Sequence, residues 1–304
     1  MLSLVTVSTT RLPIFDESTT VVSAPGAGPG NWAGAPSAVW ADGAYWLAYR
    51  VRRPLDAGRG VAVVVAHSTD GVRFEPRVRL HREDFGAESF ERPALTPLPT
   101  GGWRLYLSCA TPHSKHWWVE AIDAPTPDEL PTGRRHPVLA GDAESAFKDP
   151  VVVVGEPWQM WVCRHPLDVV GSEDRMSTWY ATSDDGLAWR LEREVLRGRD
   201  GMWDARGARV TTLLDPVDGL FLYDGRATVG QNWYETTGLA RQVNGRLNAV
   251  PSQPTLRSPF ATGAFRYVCA VDVPGGGTRF YFEAAREDGA HDLRTVLVAP
   301  PQAS

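Results

Sequence analysis

Apolar residues in this chain fall in short runs that alternate with polar ones or are rich in β-branched side chains, and no segment carries a long helical period. Val61–Ser68 reads VAVVVAHS and Val151–Val154 reads VVVV, while WRLYLSCA from Trp103 and LFLYDG from Leu220 alternate. Turn dipeptides punctuate the runs: Asp42-Gly43, Gly101-Gly102, Asp218-Gly219, Asn244-Gly245 and Gly275-Gly276. Two runs lead into matching turns, STDGVRF from Ser68 and SDDGLAW from Ser183. A Ser or Asp side chain there caps backbone donors while Gly takes a positive φ. The pattern predicts strands throughout.

The runs repeat. An aromatic entry, an apolar strand, a turn, a second strand, a gap and a third strand return five times. The copies start at Trp32, Phe90, Phe147, Trp203 and Ala264. Pro36, Pro93 and Pro150 keep a step of 57 residues (93 − 36 and 150 − 93), and Arg206 follows Pro150 by 56 (206 − 150). A repeat of this size with several strands per unit predicts an all-β fold: a five-bladed β-propeller of four-stranded antiparallel blades forming one domain. The blades are expected near 32–85, 86–142, 143–198, 199–258 and 259–300. The fifth unit stops after its third strand, at Val298, so an N-terminal strand, Leu2–Ser8 or Thr19–Ser23, is expected to complete it and close the sheet edge.

At 304 residues the chain can bury a large core, and a net charge of −5 does not point to nucleic acid or an anionic membrane as partner. Cys109, Cys163 and Cys269 lie in strand-like runs and read as buried thiols; no pair has zinc-ligand spacing, and no metal or cofactor is expected. The start, MLSLVTVSTTRLPIF, lacks the pattern of a secretory signal, and no apolar stretch reaches membrane-spanning length, so a cytoplasmic protein is expected. The twelve Trp mostly suit a propeller core, with a few, Trp32 and Trp233 among them, available to stack on a sugar.

In a propeller the first strand of each blade lines a central channel, so its first residues converge. Two positions before the proline column stand Gly34, Glu91, Lys148 and Asp204; one position before it stand Ala35, Arg92, Asp149 and Ala205. Charges thus recur at consecutive strand entries. Buried charges are costly unless paired, which points to function or to an ion-pair ring that pins the blades together.

FKDP from Phe147, the strand after it, WQMWV from Trp158 and SDDGLAW from Ser183 resemble the arrangement in the five-bladed glycosidases of glycoside hydrolase families 32, 43, 62, 68 and 130. In the invertase-like members an Arg-Asp-Pro precedes such a strand and the next blade opens with Trp-Glu-x-Pro. The matching stretches here are Lys148-Asp149-Pro150 and Trp203-Asp204-Ala205-Arg206. The resemblance implies a glycoside hydrolase acting on a small oligosaccharide or glycoside. Asp149 would be the stabilising carboxylate and Asp204 the general acid, with Glu91 in the blade of the base or nucleophile. Arg92 stands in the slot that family members give to Asp, and the first blade, AGAPS, carries no acid. Cleavage of a glycosidic bond needs one protonated acid at the leaving oxygen and one ionised carboxylate on the other face.

Loop and strand-end residues complete the expected pocket. Lys115 and His116 precede Trp117; His165 ends a second strand; Arg175 lies in the loop that follows. Asp224 and Arg226 flank Gly225, ahead of Trp233 and Glu235, and Arg206 closes the proline column. A pocket rich in Arg, Lys and His suits an acidic sugar, or inorganic phosphate as nucleophile as in the mannoside phosphorylases of this fold. A non-catalytic carbohydrate- or metabolite-binding propeller is the reading from another class.

Overall fold

A computed structural model describes residues 12–300 and is built of antiparallel sheets. β2 (Trp32–Ala41), β3 (Ala44–Arg52), β4 (Gly60–Ser68) and β5 (Glu75–His81) form a first meander. β6 (Ala94–Pro97), β7 (Trp103–Ala110), β8 (Trp117–Ala124) and β9 (Arg134–Leu139) form the second. The third comprises β10 (Ser145–Val153), β11 (Trp158–Pro166), β12 (Ser177–Ser183) and β13 (Arg190–Leu196). β14 (Gly207–Asp215), β15 (Leu220–Arg226), β16 (Thr236–Val243) and β17 (Arg246–Ala249) make the fourth. β18 (Phe265–Asp272), β19 (Thr278–Ala285) and β20 (His291–Val298) follow. β1 (Thr19–Val22) pairs antiparallel with β20, Thr19 opposite Thr295, and supplies the fourth strand of this last group. Of the two segments expected in that role, Thr19–Ser23 therefore contains it, and Leu2–Ser8 lies outside the described residues. A single parallel bridge, Trp32 to His291, joins the last group to the first.

Turn chemistry follows the sequence. Asp42 and Gly43 both take positive φ (52° and 77°), as do Asn244 and Gly245 (50° and 75°), which matches the twist of the strands they join. In the STDG turn the Ser68 hydroxyl accepts the Gly71 N–H at 2.9 Å, and the Asp70 carboxylate accepts Val72 and Arg73 N–H groups, both at 2.8 Å. Ser183 and Asp185 repeat this at Gly186, Leu187 and Ala188. Backbone donation holds the Asp70 carboxyl at about 2.

Apolar faces of successive sheets pack on one another. Val63 and Val65 of β4 meet Leu105 and Leu107 of β7 around Phe90, and Met160 and Val162 of β11 meet Tyr106 and Val119. The three cysteines are free and buried, as expected. No helix among the described residues is long and apolar enough to cross a membrane.

The first strand of each sheet has donors that its own sheet leaves unpaired, and a neighbouring sheet satisfies them. Ser37 Oγ accepts Leu95 N–H (2.9 Å) and Ser108 Oγ accepts Asp149 N–H (2.8 Å). Thr178 Oγ1 accepts Val210 N–H (3.0 Å), and Asp224 accepts Tyr267 N–H (2.9 Å). Cys269 Sγ lies 3.3 Å from the Ala38 nitrogen, which links the last group back to the first. An edge that would otherwise cost about 1–3 kcal/mol per orphaned buried group is thereby satisfied.

Candidate functional site

A meander places the starts of its first and third strands and the ends of its second at one end. Charged side chains gather at that end of the first strands. Strand register fixes which positions are equivalent: Gly34 faces Arg50, Lys148 faces Cys163, Arg209 faces Asp224 and Arg266 faces Glu283. Glu91 donates its N–H to Ser108 O and takes the same place in the second sheet. The column is therefore Gly34, Glu91, Lys148, Arg209 and Arg266. This corrects the sequence alignment of the fourth unit, where Asp204 and Arg206 had been set in the column. Both precede β14.

From these positions a continuous ion-pair network crosses the centre. Arg50 bonds Glu91 and, at 3.0 Å, Glu283. Arg266 bonds Glu283 at 2.8 Å and Glu235 at 2.5 Å. Arg226 reaches Glu235 at 3.1 Å. Arg209 reaches Asp149 and Asp224, both at 2.9 Å, and Glu235 at 3.6 Å. The Tyr267 hydroxyl accepts from Arg209 (3.1 Å) and donates to Glu91 (3.0 Å). His291 bonds Glu283 at 2.7 Å and stacks on Trp32. The ion-pair ring weighed from sequence is thus present.

Bulges aim the central groups. Ala35, Asp149 and Tyr267 occupy the same place in three sheets, each with φ between 51° and 56°. A left-handed Asp or Tyr is a strained residue, and such strain concentrates at functional sites. Asp149 is held by Arg209, by Lys148 at 3.9 Å and by the Arg92 N–H at 3.0 Å. Gly34 matters for a different reason. A Cβ there would fall on the Glu283 side chain, so the missing first-sheet side chain makes room for a carboxylate from β19.

Most of the network is sealed. Asp149 and Glu283 are 0% exposed, whereas Glu91 retains 9% and Lys148 7%. These two mark the mouth. Lys148 lies 4.7 Å over the Trp117 ring and Arg59 5.6 Å over the same ring. Arg52 lies 3.9 Å over Trp32 and 5.0 Å over Trp233, which is 36% exposed. Trp32 and Trp117 are themselves buried, so Trp233 is the indole of this group with a face open to a ring. Among the described residues no group of three or more His, Cys, Asp or Glu is placed to hold a metal ion.

Burial pushes the Glu91 carboxyl up, but Arg50, then Lys148, Arg266 and Arg52, overcome it and hold it at about 2. Glu235 is likewise at about 2, burial being outweighed by Arg266, Arg209 and Arg226. Glu283 is well below the carboxylate range, burial again being outweighed, here by Arg266 and Arg50. Asp224 alone is raised, by burial and by Glu235. A carboxylate lowered in the fold stabilises it above the unfolded pKa, about 4.3 for Glu, and that stability goes as pH falls through the folded value. The urea midpoint, read by Trp fluorescence, should be nearly level from pH 7 to 5 and drop steeply between about pH 4 and 2. Asp224 has the opposite sign and blunts the drop. A midpoint level down to pH 2 would contradict the network.

The expected site residues divide accordingly. Glu91, Asp149, Arg92, Asp224, Arg226, Glu235, Trp32 and Trp233 gather at the centre or its mouth, and the half-buried His165 lies near the Trp117 ring (6.4 Å). Asp204 does not: it is 0% exposed, held by Arg199 at 2.9 Å and by the Tyr223 hydroxyl at 2.7 Å. Arg206 pairs with Asp174 at 2.7 Å. Lys115 and Arg175 are exposed on loops, and His116 is tied to Thr111. Arg50, Arg52, Arg59, Arg209, Arg266, Tyr267, Glu283 and His291 join the site without having been expected there. The 57-residue step from Arg209 to Arg266 was the available signal.

No family model matches the chain, and no curated protein does. Solved structures do match in fold. A family 43 glycoside hydrolase (GH43_1) enzyme from Xanthomonas citri superposes with a TM-score of 0.64 at 13% identity, covering 94% of this chain and 92% of its own. The β-1,2-mannobiose phosphorylase from Listeria innocua gives 0.61 at 14%, covering 95% and 92%. A glycosyl hydrolase from Bacteroides ovatus gives 0.62 at 14%, covering 94% and 95%. The all-β fold is shared with these proteins over nearly their whole length.

Proposed function

We propose that the chain is a five-bladed β-propeller, one domain closed by β1, that cleaves a small glycoside at the mouth around Glu91. The ring of inter-sheet hydrogen bonds and the shared fold support the architecture. One observation carries the chemistry: Glu91 is the carboxylate of the network that keeps solvent access while flanked by indoles and cations. Held at about 2, it is ionised at every working pH and serves as base or nucleophile at the anomeric carbon.

A protonated partner is the missing half. Asp224 has the raised carboxyl, yet it is 1% exposed and bonded to Arg209, Thr237 and Tyr267 N–H. Asp149 is sealed and Asp204 lies elsewhere. Leaving groups that need no proton should therefore react fastest. A positioned acid contributes about 10²–10⁴-fold, so dinitrophenyl glycosides should turn over at least about 10²-fold faster than alkyl glycosides. Equal rates would reveal an acid that this reading leaves out.

Phosphorolysis is the second reading, favoured by the cations at the mouth that lack a close carboxylate. Phosphate brings its own nucleophilic oxygen: its O–C bond forms as the glycosidic C–O bond breaks and the leaving oxygen takes a proton. The test is product release from aryl glycosides and short oligosaccharides, with and without phosphate. Phosphate-independent release supports a hydrolase, and release only with phosphate supports a phosphorylase. Silence with retained sugar binding would leave a carbohydrate-binding propeller in place of an enzyme.

A further inference from the structure

Resting on the reading of the mouth as a glycoside site, we propose that its sugar is anionic, carrying a carboxylate that sits between Lys148, Arg59 and Arg52. The observation behind this is uneven pairing. Arg50, Arg209, Arg226 and Arg266 each have a carboxylate at 3.1 Å or closer. Lys148 has only the rim of such contact, 3.9 Å from an Asp149 that Arg209 already holds. Among the described residues no carboxylate pairs with Arg52, which is 2% exposed and bonds the Gly30 carbonyl at 3.3 Å, or with Arg59.

These three cations surround one place. Lys148 and Arg59 share the Trp117 ring, Arg52 lies against Trp32 and Trp233, Lys148 and Arg52 both act on the Glu91 carboxylate, and Arg59 on Arg52. The field there is strongly positive although the chain carries −5 overall. Burial, then Arg50 and other cations beside it, brings the Arg52 guanidinium down to about 9. The His165 imidazole is driven well below its usual range by burial and by Lys148, Arg226, Arg209 and Arg59, and its buried Nε2 has no partner among the described residues. A buried cation without a counter-charge is costly, and a ligand carboxylate relieves that cost while accepting charge-assisted hydrogen bonds. The exposed Trp233 offers a face to the sugar ring, and Glu91, itself negative, takes hydroxyl donors and keeps the carboxylate to the cations.

The test uses the full chain and matched probes: disaccharides containing a uronic acid, their carboxyl-reduced neutral counterparts, and inorganic phosphate alone. Binding is followed by calorimetry and by Trp fluorescence. A hydrogen-bonded charge is worth roughly 1.5–3 kcal/mol, so the charged member should bind about tenfold tighter or more, less so in high salt. Lys148→Met should bring that ratio near one, and Lys148→Arg should keep most of it. Arg59→Gln, at a half-buried position where folding is less at risk, should lower the ratio as well. Equal affinity for the charged and neutral members would overturn the proposal while leaving the sugar site standing. Binding of phosphate that tightens the neutral member would also overturn it, assigning the cations to a free oxyanion. No binding by any probe would take down the site reading together with the proposal.

Discussion

Arg209→Met should leave the protein close to unfolding. The guanidinium bonds Asp149 and Asp224, stands 3.6 Å from Glu235, donates to the Tyr267 hydroxyl and lies 4.0 Å over its ring. Without it three sealed carboxylates face one another in a dry space. Removing one partner of a buried ion pair costs about 3–5 kcal/mol, against a whole-domain stability of about 5–15. Asp224, already raised, would take up a proton and recover part of the loss, so the variant should be firmer at pH 5 than at pH 8. Arg209→Lys should fall between the two, since one ammonium cannot span both carboxylates. Urea unfolding measures this directly; a loss under about 1 kcal/mol would mean that water reaches the centre and screens these charges.

Glu91→Gln should remove turnover and leave the protein folded, at a lower urea midpoint, since the neutral amide no longer offsets Arg50 and Lys148. The amide keeps an oxygen for Arg50 and for the Tyr267 hydroxyl, and Arg50 retains Glu283 at 3.0 Å. What disappears is the ionised oxygen that the proposed reading sets at the anomeric centre. Loss of such a group lowers the rate by about 10²–10⁴-fold. Asp204→Asn supplies the contrast. That carboxylate serves Arg199 and Tyr223 outside the mouth, so the rate per folded molecule should stay within a few-fold of the parent. Rates for both variants on one activated aryl glycoside decide the matter. A collapse in Asp204→Asn with a surviving Glu91→Gln would reverse the assignment and restore the alignment in which Asp204 is the acid.

Strands and turns could be read along the chain because their causes are local. Alternation, a β-branched run or an Asn-Gly pair acts within a few residues. The step of 57 residues added the repeat, and the outer strand expected from Thr19–Ser23 is the one that pairs with β20. The fourth unit misled because Trp203-Asp204-Ala205-Arg206 imitates an entry motif. Lys148 to Arg209 spans 61 residues, four more than the other steps, and the surplus moves Asp204 into the connection before β14. Had Arg266 been stepped back by 57, Arg209 would have emerged. The remaining members were hidden for another reason. Arg50 and Glu283 come from second strands, and Glu235 and His291 from the approach to third strands. Each looks like an ordinary strand-end charge until neighbouring sheets bring them together. Gly34 is the clearest case: its lack of a side chain is meaningful only beside Glu283, 249 positions later (283 − 34).

The pairing of β1 with β20 also sets the order of events at synthesis. Thr19–Val22 leaves the ribosome well ahead of its partner, Thr19 being 276 positions before the Thr295 it pairs with (295 − 19). While the residues between them are made, the early strand lacks β20 and that sheet keeps an open edge. Folding cannot reach its final cooperative step until β20 has emerged, which implies slow maturation and a window for chaperone capture. A circular permutant that joins Val298 to Thr19 through a short linker and opens the chain in the exposed Gly171 loop would make those two strands sequence neighbours, and should close its last sheet sooner than the natural order allows.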